Sequence, residues 1–143
     1  EIGCYLSHLS AWEQCVQENK PMLVLEDDFV INGDLRHVFE SLTQMDQKWS
    51  LVRLAALYEV ENKLIDRCEG IELVENKGDP VGAAAYIIKP IAAAQLIKCS
   101  SAISAKTPVD RWDYAIPHRL RICEKLGKSE FFAQLYRGEF SLL

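Results

Sequence analysis

Three consecutive acids, Glu26, Asp27 and Asp28, stand directly behind the apolar run Met22-Leu23-Val24-Leu25. A short unbroken apolar run after the turn signal at Pro21 reads as a strand buried on both faces of a parallel sheet. The triplet is therefore expected at the carboxyl end of a strand, where ligands enter open α/β sheets. An extended backbone through the triplet would put Glu26 and Asp28 on one face and Asp27 on the other. Like charges ~4 Å apart repel by roughly 1 kcal/mol in water, and by about 4 kcal/mol at the effective dielectric of a partly buried site. Two convergent carboxylates in a cleft thus call for a cation or a proton. A hard divalent ion, Mn²⁺ or Mg²⁺, meets that need with one or two carboxylates and keeps its other positions for water and phosphate oxygens, as a nucleotide diphosphate requires. The plain alternative is three acids that only solvate a strand end. A second alternative is Arg53, which falls within an apolar stretch and must find a carboxylate, a phosphate or the sheet edge. Pairing with the triplet would neutralise the cluster without a metal.

Other residues carry weaker chemistry. His8, with Ser7 beside it, lies on the segment preceding the acidic strand, and either faces a cleft or packs and hydrogen-bonds within the fold. Gly82 and the run Ala83 to Ala85 leave room for a bulky ligand, or let a helix approach closely. Trp112 and Tyr114 would stack on a sugar ring or fill a core. His37 is expected on a solvated helix face, and His118, after Pro117, at the surface.

These groups need elements to hold them. Residues 2–18 place Ile2, Leu6, Leu9, Trp12 and Val16 at three-to-four spacing, which predicts an amphipathic helix ended by Asn19 and Pro21. Asn32, Gly33 and Asp34 form a turn and a helix cap. Leu35, Val38, Phe39 and Leu42 then repeat at i, i+3, i+4 and i+7. Strands are predicted over 49–57, 71–74 and 81–88, with a turn at 76–80 and a polar connection between the first two. Pro90 suits the first turn of a helix running to about Ala102. Strands alternating with helices imply an α/β sheet covered on both faces. The residues from Asp110 onward give no clear pattern.

Composition sets the outer bounds. With 143 residues, 49% hydrophobic and 26% charged, the chain suits one globular domain with a core of its own. Sixteen Lys and Arg against 21 Asp and Glu give a net charge of −5, which leaves no basic footprint for nucleic acid. No apolar stretch nears the ~18 residues that span a bilayer. The five cysteines, Cys4, Cys15, Cys68, Cys99 and Cys123, are scattered without metal-site spacing and read as reduced. With the absence of N-x-S/T acceptors, they favour a reducing compartment. The first residue is Glu1, so an internal start within a longer product is expected.

Several stretches taken together resemble the conserved block of glycosyltransferase family 25. They are EIGCYLSHLSAWEQCVQEN, with its Gly3-Cys4, Ser7-His8 and Trp12 spacing; LEDD at 25–28; WSLVRLA; GAAAYIIKPIAAAQLI; and PVD at 108–110, in that order. The resemblance implies an α/β, GT-A-like (Rossmann-like) fold: a mixed, mostly parallel sheet with helices on both faces, N-terminally incomplete because a leading strand and helix are missing. Residues 1–143 would then be a single glycosyltransferase domain, or a fragment of a longer one. The acidic group would be the D-x-D motif, with Glu26 and Asp28 at the metal. Ser7, His8, Asp27, Arg53, Gly82 and Tyr86 are expected at the substrate. Asp110 would be the general base of an inverting transfer, with Asp113 as its alternative. The implied donor is a UDP-sugar, with galactose foremost, and the implied acceptor is a glycan or glycolipid such as lipooligosaccharide. The expected place is the cytoplasm, at the inner face of a bacterial inner membrane with peripheral association. A catalytically inactive or truncated remnant that binds sugar nucleotide, or serves as an interaction domain, is the other reading. A phosphatase of the haloacid dehalogenase type would need a nucleophilic Asp where Glu26 stands.

Overall fold

A computed structural model of the chain describes residues 2–27, 29–31, 33–54, 61–76, 84–104, 132–136 and 140–142. Helix α1 spans Ile2–Glu18, and Asn19 ends it in a left-handed conformation (φ 51°). Its buried face differs from the predicted stripe. Tyr5, His8, Trp12 and Cys15 point inward, whereas Leu6 is 51% exposed and Val16 is exposed as well. The inward stripe still follows i, i+3, i+7, but it consists of rings and a thiol whose polar atoms all find partners. The Cys15 thiol, for example, donates to the Lys20 carbonyl at 3.1 Å. Burial pushes that thiol's pKa up; a backbone hydrogen bond from Met22 opposes the shift, and the Glu18 charge adds to it.

Strand β1 (Met22–Leu25) follows, then β2 (Phe29–Ile31) and helix α2 (Leu35–Gln44). The predicted cap is present: the Asp34 carboxylate accepts from the backbone N–H groups of Arg36 at 2.9 Å and His37 at 3.2 Å. Next come β3 (Leu51–Arg53), shorter than the predicted 49–57, and β4 (Asn62–Cys68), which occupies the polar connection where no element was predicted. β4 pairs with β5 (Ile71–Asn76) through the two-residue turn Glu69-Gly70, both at positive φ (49° and 87°). Such a turn matches the twist of the strands it joins, and glycine serves its second position without strain. The His37 ring donates from Nε2 to the Glu69 carbonyl at 3.0 Å, which ties α2 to this turn. β6 (Ala85–Ile88) and helix α3 (Pro90–Ser104) complete the central part, with proline at the first helical position as predicted. Two further strands, β7 (Phe132–Tyr136) and β8 (Phe140–Leu142), arise from the patternless tail.

The main sheet has the order β1-β6-β3-β7-β5-β4, and β2 pairs with β8 separately. Helices cover both faces, as expected, but the mostly parallel sheet is not what forms: β3–β7 is the one parallel pair among the described strands. The reason is visible in the order. β1 and β3 run in the same sense, as a strand–helix–strand crossing dictates, but β6 lies between them and is antiparallel to both. β1 is also the outer strand of this sheet. Its residues are half-buried or, at Leu25, exposed, which corrects the expectation of a strand buried on both faces.

Strand alternation divides the core in two. Leu51, Tyr86 and Ile88 face α1 and α3, packing with Tyr5, Trp12, Cys15, Ala92, Ala93 and Leu96. Val52, Ala85 and Ile87 face α2, packing with Val38, Leu42, Trp49, Ile71 and Leu73. Lys89 fastens the second layer at its rim, lying 4.1 Å from the centre of the Trp49 ring and 2.6 Å from an Asp46 carboxylate oxygen.

Candidate functional site

The carboxyl ends of β1 and β3 lie on the same rim of the sheet, because the two strands share a direction. At that rim the Glu26 N–H donates to the Ala84 carbonyl at 2.8 Å, continuing the β1–β6 ladder one residue past the strand. The extended path therefore reaches Glu26, and alternation turns its side chain to the face of Val24, toward α1. There Glu26 Oε1 lies 3.3 Å from His8 Nε2. The carboxylate side chain is 31% exposed, so one side touches protein while the group remains open to solvent.

Behind Glu26 runs a buried polar chain. His8 Nδ1 is 2.7 Å from the Tyr86 hydroxyl, and the Trp12 indole N–H donates to the same hydroxyl at 2.8 Å. The His8 and Tyr86 rings stack with centroids 5.6 Å apart at 15°. Tyr86 is 2% exposed and His8 3%. Burying an imidazole, a phenol and an indole costs little only because each polar atom has a partner.

In front lies a cleft of about 560 Å³, lined by Ser7, His8 and Ala11 of α1 and by the run from Met22 to Asp27. Four of the residues singled out in the sequence thus meet at one place: Ser7, His8, Glu26 and Asp27. Ser7 uses its hydroxyl proton on the Gly3 carbonyl at 2.9 Å, and Asp27 is exposed. Tyr86 does not line the cleft and reaches it through His8. Arg53 is buried opposite Tyr86 in the β3–β6 register, and it is not without a partner. Asp28, Gly82, Asp110 and Asp113 lie outside the described residues, as do Trp112, Tyr114 and His118.

The sequence model described as glycosyltransferase family 25 (LPS biosynthesis protein) matches residues 1–112. The chain belongs to glycosyltransferase family 25. That span holds the cleft, the acidic triplet and the buried polar chain, and it agrees with the extent of the resemblance read from the sequence. A human relative described as inactive glycosyltransferase 25 family member 3 is 30% identical over an alignment of 117 positions that covers 78% of this chain and 19% of the relative. The chain thus spans about a fifth of that protein's length. No described helix of this family 25 chain is long and apolar enough to cross a membrane.

Two participants at the site take a part that the sequence did not assign to them. Trp12 entered as a spacing marker and a core ring, but its N–H anchors Tyr86. Tyr86 entered as a donor-side contact, but its hydroxyl joins Trp12 to His8. The available signal was chemical: a buried Trp or Tyr must satisfy its polar tip, and His8 was the polar group on the same helical face as Trp12.

Proposed function

We propose that this chain carries the donor-binding part of a UDP-sugar-dependent glycosyltransferase. Its reaction would move a hexose, galactose foremost, to a glycan or glycolipid acceptor such as lipooligosaccharide presented at the inner face of a membrane. The observation that supports this most is the Glu26 carboxylate, held on one side by His8 at the lip of a 560 Å³ cleft and open to solvent on the other.

Among the described residues no group of three or more His, Cys, Asp or Glu side chains could form a cage of protein ligands. Adjacent carboxylates at a cleft lip instead suit a hard cation that keeps most of its positions for water and substrate phosphate. Glu26 and Asp28 would hold Mn²⁺ or Mg²⁺. When bound, the ion would supply charge neutralisation for the leaving diphosphate. Asp27 and Ser7 line the side from which ribose or sugar hydroxyls would be held, and His8 steadies Glu26 from behind. Arg53, which shares the α1 face, and Gly82 complete the donor side in this reading. Asp110 is the proposed base that takes the acceptor hydroxyl's proton in an inverting attack, and Asp113 is its alternate.

A second reading has one specific support: the human relative is described as inactive. In that case the cleft binds sugar nucleotide, or serves as an interaction domain, without transfer. A panel of UDP-sugars, assayed for UDP release with lipooligosaccharide acceptor and Mn²⁺, separates the two. Acceptor-dependent release that disappears with EDTA supports the transferase. Metal-dependent UDP binding without release supports the sugar-nucleotide-binding domain, and metal-independent or absent binding leaves the interaction domain.

A further inference from the structure

We propose that Trp12, Tyr86 and His8 form a positioning relay in which His8 turns an Nε2–H toward the Glu26 carboxylate and thereby fixes it at the cleft. The proposal rests on the reading of Glu26 as a ligand-binding group. The relay itself is a separate claim about proton positions.

The two ends of the chain fix its direction. An indole N–H can only donate, and an ionised carboxylate can only accept. At one end, therefore, Trp12 gives its proton to the Tyr86 oxygen at 2.8 Å. At the other, the 3.3 Å contact between His8 Nε2 and Glu26 is a hydrogen bond only if Nε2 carries a proton. A neutral imidazole has one N–H, so Nδ1 is then a lone pair, and it accepts the Tyr86 hydroxyl proton at 2.7 Å. This arrangement satisfies all three contacts with neutral side chains behind the carboxylate. The opposite tautomer would aim a lone pair at Glu26.

Packing keeps the ring from turning out of this arrangement. The imidazole lies stacked on the Tyr86 ring and edge-on to Trp12, at 5.6 and 6.4 Å between centroids. All three side chains are buried. Glu26 is the half-exposed member, and its link to His8 is the longest of the three. Contacts of this kind are often long in an unliganded site and shorten when substrate arrives. His8 and Tyr86 are accordingly positioning residues, not catalytic ones.

The test is nitrogen-15 NMR of the full chain at pH 8, without metal or nucleotide, so its outcome does not depend on whether the donor site is read correctly. The expected wild-type result is a His8 ring with a protonated Nε2 and an unprotonated Nδ1. In Tyr86→Phe that preference relaxes to a mixture, and the carbon-13 carboxyl signal of Glu26 shifts. Should Tyr86→Phe fail to fold, the wild-type spectrum alone decides where the ring proton sits. In calorimetry with Mn²⁺ and UDP, His8→Ala is expected to weaken binding by about tenfold, the usual scale for a lost supporting partner. His8→Gln, whose amide can donate from the Nε2 position, is expected to recover most of that loss. A wild-type His8 protonated on Nδ1, or a tautomer unchanged in folded Tyr86→Phe, overturns the proposal.

Discussion

The two layers of the core solve different problems. Beneath α2 the sheet meets Val38, Leu42, Val52, Leu73, Ala85 and Ile87, a contact made almost wholly of hydrocarbon. Beneath α1 the same sheet meets Trp12, Tyr86 and His8, whose polar atoms join in a line that ends at a half-exposed carboxylate. Hydrocarbon packing is non-directional and tolerant of detail, so the α2 layer acts as a scaffold. A buried polar chain is directional and costly if broken, so the α1 layer holds one atom, Glu26 Oε1, in one place. The difference teaches why the proposed site is placed on the α1 face, where the fold accepts the harder energetic arrangement.

The largest expected effect falls on the scaffold. Leu73→Ala should destabilise the fold by about 2–5 kcal/mol in chemical denaturation while UDP affinity with Mn²⁺ stays unchanged below the transition. A loss of affinity in the folded protein would break the division between the layers. Next, Tyr86→Phe strands the Trp12 N–H and the His8 Nδ1 together, at a stability cost of about 1–3 kcal/mol. Unlike Leu73→Ala, it should weaken metal-dependent UDP binding in protein that remains folded. Asp34→Ala, which removes the α2 cap, should cost about 1 kcal/mol and leave the His8 ring spectrum untouched.

Two smaller effects sharpen the contrast. The Ser41 hydroxyl is buried in the α2 layer with no hydrogen-bond partner among the described residues, so Ser41→Ala should be neutral or stabilising by up to about 1 kcal/mol in thermal melts. In the α1 layer, burial raises the Cys15 pKa above its unfolded value. The folded state then holds the thiol proton more tightly, and the stability this contributes is fully present below the unfolded thiol's pKa of about 8.5. It is lost as pH rises from there through the higher folded value. Cys15→Ala should flatten that alkaline decline.

How much of this was legible in the sequence follows the same division. Local signals carried α1, the Asp34 cap, the start of α3 at Pro90 and the place of Glu26 behind β1, because each depends on neighbours a few residues away. β7 was not legible: it pairs in parallel with β3 across some eighty residues, and nothing local in its five residues specifies that partner. β4 was hidden because a mostly exposed strand carries little apolar alternation. The mostly parallel sheet was misjudged because the insertion of β6 between β1 and β3 leaves no mark on either strand. The face of α1 was misjudged because Leu6 and Val16 share the three-to-four spacing of Trp12, whereas the buried face runs through Tyr5, His8, Trp12 and Cys15. At the site, the types of His8 and Glu26 pointed to their chemistry, but the hydrogen bonds through Tyr86 exist only in three dimensions.

The most direct test of the proposed donor site is anomalous diffraction at the manganese edge from crystals grown with Mn²⁺ and UDP. The account predicts a single strong peak at the lip of the cleft, within bonding distance of a Glu26 carboxylate oxygen and a diphosphate oxygen, and no peak there in Glu26→Ala. Nucleotide bound with its diphosphate away from Glu26, or manganese bound elsewhere on the chain, would contradict it.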